Sequence, residues 1–207
     1  MPDLTKIYLY RMTHVKNIQH ILEHGITHIV SPNKNPDYVP IGDGRLINSR
    51  NNFRLPNRRT LGEYIPFYFG GRMPMLYVIQ HGYNGVNIAG PHDIVYCITS
   101  IAAIEACGME YIFTDGHAVD GLSSFYLSSD LENIENVVDF KAVNISNWID
   151  EKDLDLKRRK EAEFLVLGDV PATAILGFIV YDDETKNQIM QLSGKEMKVI
   201  VRPNYYF

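Results

Sequence analysis

Cysteine is scarce: Cys97 and Cys107 are the only two in 207 residues, and neither has metal-type spacing or sits in a nucleophile motif. This excludes a disulfide scaffold and a thiol-ligated zinc site, and it points to a reducing cytoplasm. No signal-peptide pattern opens the chain, and no apolar run approaches the roughly 20 residues a bilayer span needs. Phosphate-cradling glycine loops are missing too, because Gly70-Gly71 lacks both the spacing and the Lys-Ser/Thr ending. No Gly-x-Ser-x-Gly elbow occurs. His20, His24 and His28 fall at i, i+4 and i+8, but Gly25 interrupts the helix that would align them, so no metal site is expected.

What the chain has is the material for one substantial core. With 45% hydrophobic and 22% charged residues, it reads as a single globular domain over residues 1–207, and a monomer is expected. The net charge of -5 argues against general nucleic-acid affinity, yet the charge is unevenly placed. Arg45, Arg50, Arg54, Arg58, Arg59 and Arg72 face one acid, Glu63, so residues 45–72 carry +5 and the rest -10. Phe53, Tyr64, Phe67, Tyr68 and Phe69 are interleaved with these arginines. Guanidinium forks suit phosphates and aromatic rings suit exposed bases, which is the pairing a single strand requires. The competing reading is a solvated loop followed by a buried aromatic strand.

Residues 5–11 read as a strand, and Thr13 is offered as the cap of a helix that Gly25 stops. Residues 31–57 form a polar, proline- and glycine-punctuated loop, long enough to suggest a functional role. Strands are expected at 64–69, 94–98, 174–181 and 198–201, with a short helix at 101–107. Residues 75–80 fit a helix or a strand, residues 112–117 end a strand in a turn, and 131–138 are ambiguous. The pattern favours an α+β class over a doubly wound sheet.

Glu163 stands where the charged run Lys157-Arg158-Arg159-Lys160-Glu161 meets the apolar Phe164-Leu165-Val166-Leu167. A carboxylate at the mouth of a buried strand is costly to desolvate without a partner or a task. Glu161, two residues earlier, would share its face on a strand. His14, Arg50, Tyr68 and His117 complete a dispersed polar set in which each residue, taken singly, has a structural explanation.

Four separated segments carry a resemblance. Tyr10-Arg11-Met12-Thr13-His14 with Asn17-Ile18, residues 61–69 with Arg72-Met73-Pro74-Met75-Leu76-Tyr77, residues 113–118, and Ala162-Glu163-Phe164-Leu165-Val166 resemble the DarT family of DNA ADP-ribosyltransferase toxins. The likeness spans nearly the whole chain. Tyr-Ile-Pro-Phe-Tyr-Phe and its Arg-Met-Pro-Met-Leu-Tyr continuation are the specific pieces. Gly71-Arg72-Met73-Pro74 departs from the Pro-Arg-Ser-Pro common in the family.

The resemblance implies an ADP-ribosyltransferase (PARP-like) fold with split central β-sheets around a cleft for NAD+, used as ADP-ribose donor without a metal. It implies Glu163 and Arg50 as catalytic residues, Glu163 at the ribose 2′-hydroxyl and Arg50 on the pyrophosphate and the acceptor. Arg45 and Arg54 are alternatives for that arginine. His14, Asn17, Tyr68 and Arg50 would bind NAD+, with Tyr64 and Tyr77 as alternatives for the stacking ring. Arg54 and His117 would bind the acceptor, a base of single-stranded DNA and most often thymine, beside a substrate-reading loop within 128–155. A macrodomain antitoxin, DarG, is the implied protein partner. Guanine in DNA, and acceptors in RNA or protein, are the alternatives, and a noncatalytic nucleic-acid-binding module is the reading without an enzyme.

Overall fold

The computed structural model describes residues 2–55, 57–194 and 197–207. Its strands are β1 (Tyr8–His14), β2 (Tyr64–Tyr68), β3 (Ile94–Ser100), β4 (Tyr111–Thr114), β5 (Phe125–Leu127), β6 (Glu163–Leu167), β7 (Gly177–Val180) and β8 (Val199–Val201). They form a sheet in the order β5-β4-β6-β2-β1-β3-β7-β8. The helices are short: α1 (Ile18–His24), α2 (Gly44–Asn52), α3 (Pro74–His81), α4 (Ile101–Ala106), α5 (Ile134–Val137), α6 (Phe140–Asn144), α7 (Leu156–Lys160) and α8 (Asp183–Leu192).

Strand alternation explains the layering. In β3, Val95 and Cys97 point into the main core, while Ile94, Tyr96 and Ile98 pack on a second cluster across the sheet. In β6, Phe164 and Val166 enter the main core and Leu165 joins a third cluster on the opposite face. One face of the sheet therefore rests on one continuous core. The other face is covered by two separate clusters, one around Ile94, Tyr96 and Ile179 and one around Leu61, Tyr64 and Leu165.

The gap between those clusters follows the pairing. β1 runs in full register with β3, Tyr8 opposite Ser100 through His14 opposite Ile94, and β2 pairs with β6 over five positions. Between β1 and β2 the register holds at one position, Tyr10 opposite Tyr68. The sheet is thus two four-stranded halves joined at a single seam. Tyr10, Tyr68 and Glu163 stand side by side in register across it.

Several sequence expectations shift. The first strand is Tyr8–His14 rather than 5–11, and the first turn after it is capped by His14, whose Nδ1 accepts from the Lys16 N–H, not by Thr13. Thr13 Oγ1 instead accepts from Asn17 Nδ2 at 3.0 Å. Residues 74–81 are helical because Pro74 opens the helix, where its fixed φ and missing N–H cost nothing. The long loop contains α2, started by Asp43, whose carboxylate accepts from the Arg45 N–H. Gly25 ends α1 at φ 79°, and a Cβ there would collide with the Val170 carbonyl.

Candidate active site

Glu163 opens β6 just past the last rung between β4 and β6, Phe113 opposite Phe164. Beyond that rung Thr114 substitutes for the ladder, its hydroxyl accepting from the Glu163 N–H at 3.0 Å and donating to the Gly116 carbonyl at 2.6 Å. This bends the chain after β4 over Glu163 and brings the Ala118 N–H to Oε1 at 2.9 Å. The other oxygen, Oε2, accepts from Arg50 Nη1 at 2.8 Å. Glu163 is 0% exposed, so a carboxylate without these donors would be severely penalised.

Arg50 reaches it from the last turn of α2, a helix with no buried residue, so packing of its own side chains does not hold it in place. Its position comes from contacts around it. Gly62 lets α2 approach the 3₁₀ turn Leu61–Glu63 closely, since a Cβ there would strike Asn51. Upstream, the buried Asn17 fixes the loop at Val39, donating to its carbonyl at 2.8 Å and accepting from its N–H at 2.9 Å. His28 bonds the Gly62 carbonyl, and Asp169 accepts from the His28 N–H and the Ser31 hydroxyl. Arg50 Nη2 is buried with no partner, a donor open to an anionic group.

Tyr68 lies beside Glu163 across the β2–β6 pair. Burial, then the charges of Glu163 and Glu161, push its phenol far above the ordinary range, so it stays protonated at neutral pH. His117 Nε2 lies 3.9 Å from Glu163 Oε1. His14 ends β1 four residues beyond the seam, about 13 Å along the strand at about 3.3 Å per residue. Burial pushes its imidazole pKa down, against the opposing pull of Asp93, and with Nδ1 accepting, the neutral ring carries its hydrogen on Nε2.

The structure therefore brings Glu163, Arg50, Tyr68 and His117 together, and sets His14 and Asn17 further along the same strand and turn. Asn17 is engaged with Thr13 and Val39, which makes its amide a brace for the loop. Arg54 is exposed, its backbone bridged to Thr60. The arginine cluster divides. Arg59 pairs with Glu63 and Glu110, Arg45 with Asp43, and Arg72 lies 4.5 Å over the Phe207 ring. Arg54 and Arg58 remain exposed.

The aromatic half of the expected single-strand surface is corrected: Tyr64, Phe67 and Phe69 are buried in the cores and offer no ring to a base. Glu161 is also displaced from its expectation. It follows α7 in the turn before β6, so it does not share a strand face with Glu163, and it borders a cavity of about 250 Å³ with His117, Leu122, Leu154 and Asp155. Burial raises its carboxyl pKa. Sequence reading missed the Ala118 N–H and Thr114 as partners of Glu163; backbone donors carry no side-chain signature. Among the described residues no group of three or more His, Cys, Asp and Glu side chains could hold a metal. His20 and His28 turn to Thr27 and Gly62.

Comparison with known proteins agrees with this geometry. Residues 10–207 match the family described as "ssDNA thymidine ADP-ribosyltransferase, DarT". A DNA ADP-ribosyl transferase of Thermus sp. (strain 2.9) is 30% identical, over 100% of this chain and 98% of its own. A DNA ADP-ribosyl transferase-DNA ADP-ribosyl glycohydrolase fusion protein of Thermosipho africanus is 28% identical, over 96% of this chain and 49% of its own. The structure of Thermus sp. 2.9 DarT with ADP-ribosylated ssDNA superposes with a TM-score of 0.86 at 28% identity, covering 100% of this chain and 98% of that one. The same protein with NAD+ gives 0.80 at 27%, covering 100% and 99%. The α+β architecture with its seamed sheet is accordingly the ADP-ribosyltransferase fold.

Proposed function

The chain belongs to the DarT family, and from that membership we propose that it transfers ADP-ribose from NAD+ to thymine in single-stranded DNA. The observation that carries this reading is the Glu163 carboxylate, held by Arg50 and Ala118 at the seam of the sheet. In the reaction the bond between ribose C1′ and the nicotinamide nitrogen breaks, its electron pair leaving with nicotinamide. A ring nitrogen of the base bonds C1′, and the proton of that nitrogen is released. Positive charge grows on the ribose as the first bond lengthens, and a fixed carboxylate stabilises it best where water is excluded.

Each residue has a part that its position supports. Glu163 takes the ribose 2′-hydroxyl and faces the developing charge. Arg50, with Nη2 unspent, takes a pyrophosphate oxygen or orients the acceptor. Protonated Tyr68 supplies the ring against nicotinamide, and His14 donates from Nε2 to a ribose hydroxyl. Asn17 acts through the loop it braces. His117 and the cavity beside it receive the acceptor base. Exposed Arg54 contacts the strand's phosphates. A base already outside a duplex needs no extrusion energy, which favours single strands.

The single domain over residues 1–207 works as a monomer in the cytoplasm, needs no metal, and is opposed by a macrodomain glycohydrolase of the DarG kind. The fusion relative, which joins transferase to glycohydrolase, supports that pairing. Labelled NAD+ incubated in separate reactions with each of four deoxy-homopolymers, with a mixed RNA oligonucleotide and with a cell protein extract tests the acceptor. Label on oligo-dT alone is expected; label on oligo-dG, RNA or protein would replace the acceptor, and none anywhere would remove the enzyme. Growth arrest on expression should be relieved by Glu163→Ala.

A further inference from the structure

Lys160 is the one lysine at the head of the catalytic strand, and it is 1% exposed. It closes α7, three residues before Glu163. Its Nζ donates to the Val143 carbonyl at 3.0 Å and the Ile145 carbonyl at 2.7 Å, and it lies 6.0 Å from the centre of the Trp148 ring. Burying an ammonium among carbonyls and an indole is expensive, and burial pushes its pKa down to about 8 despite the neighbouring Glu161 charge. An apolar side chain of the same length would fill the space more cheaply.

The segment it grips explains why a costly residue is useful there. After α6 the chain runs without regular helix or strand until α7, and Ile145, Ile149 and Leu154 on this stretch are exposed to solvent. Arg159 ties its far end by pairing with Asp153 and Asp155 and also reaches Asp139 at the start of α6, and Arg158 binds Asp155 and Asp115. Of these three consecutive cations, Lys160 is the one that binds the start of the segment itself, through the Val143 and Ile145 carbonyls. Leu154 and Asp155 then line the cavity shared with His117 and Glu161, next to Glu163. An exposed apolar loop fixed at both ends by the helix that leads into the catalytic strand is rigidly referenced to the carboxylate.

We propose that Lys160 is a positioning residue for the acceptor, clamping residues 143–148 so that segment 145–155 presents a fixed surface to the DNA strand entering beside His117. This rests on the DNA-modifying reading above. Its function is to set where the acceptor lies, and it does not touch NAD+.

Lys160→Met keeps the stem and removes the ammonium. Two hydrogen bonds of ordinary strength are lost, so the KM for single-stranded DNA should rise about tenfold, with kcat and the slow hydrolysis of NAD+ held within about threefold. Trp148→Ala, which opens the clamp from the other side, should move the same parameter. Trypsin cleavage after Lys152, within the clamped segment, should speed up in both variants; this reads the clamp without DNA. An unchanged KM in a wild-type background that does label DNA, or equal losses in transfer and hydrolysis, would overturn the proposal. So would a Lys160→Met chain that fails to fold while Trp148→Ala behaves as wild type. Wild-type protein that hydrolyses NAD+ but labels no DNA defeats the functional reading instead, and the trypsin result then stands on its own.

Discussion

Replacing Glu163 by glutamine removes one charge and almost no volume, which isolates what the carboxylate contributes. The amide oxygen can still accept from the Ala118 N–H, but the amide nitrogen meets Arg50 Nη1 donor to donor. Arg50 has a side chain only 15% exposed, so water cannot fully replace the lost partner. A charge-assisted hydrogen bond contributes about 1.5–3 kcal/mol. For a chain of this size each kcal/mol moves Tm by about 2–4 °C, so the variant should melt about 3–12 °C lower and remain folded at assay temperature. Loss of a preorganised charge facing a developing cation should lower kcat about 10²–10³-fold, equivalent to about 3–4 kcal/mol. The assay is label transfer from NAD+ to oligo-dT at saturating concentrations of both, alongside a thermal melt. Glu161→Gln, outside β6, is the control and should stay within about tenfold of wild type. A folded Glu163→Gln enzyme with a kcat within tenfold of wild type would refute the electrostatic role.

Reversing Arg54 and Arg58 together to glutamate should weaken single-stranded DNA and make the salt dependence of its KM shallower by about 1–2 in slope, while NAD+ hydrolysis persists. Equal loss of both reactions would assign these arginines to the donor site. His14 has a folded pKa lowered by burial, so between that value and its ordinary one the unfolded chain binds more protons and stability rises with pH. Its contribution should be complete above about pH 6.5 and decline below it, and His14→Gln should flatten that slope in melts from about pH 5 to 8; parallel slopes would disprove the assignment. Cys97 is buried and its thiol is pushed up to about 12, so one thiol per native chain, Cys107, should react with a thiol reagent at neutral pH and two after denaturation.

Strong local periodicity made part of the fold legible. The apolar run read as a strand at 94–98 is the strand Ile94–Ser100, and the short helix read at 101–107, before Gly108, is Ile101–Ala106. α2 and α8 were missed, α2 because no side chain on it is buried and α8 because only Thr185 and Ile189 are. A helix held by neighbours leaves little trace in its own hydrophobic pattern. β5 is three residues long and half exposed, too short for a period to register. Glu163 could be singled out as a carboxylate at a strand mouth. Its contact with Arg50 spans 113 residues, and its bond to the Ala118 N–H uses a group every residue possesses. The aromatic residues misled because alternation in β2 sends Phe67 inward, a direction composition cannot report.

The seam at Tyr10 and Tyr68 has a consequence for how such an enzyme can be broken. One half of the sheet uses the first, third, seventh and eighth strands, and the other uses the second, fourth, fifth and sixth. The halves are interlaced along the polypeptide, so no single scission releases either one intact. β2 must also wait for β6, whose first residue lies 95 positions after Tyr68, before its ladder can close. During synthesis the bond between Arg50 and Glu163 therefore cannot form until β6 has emerged, however early α2 is made.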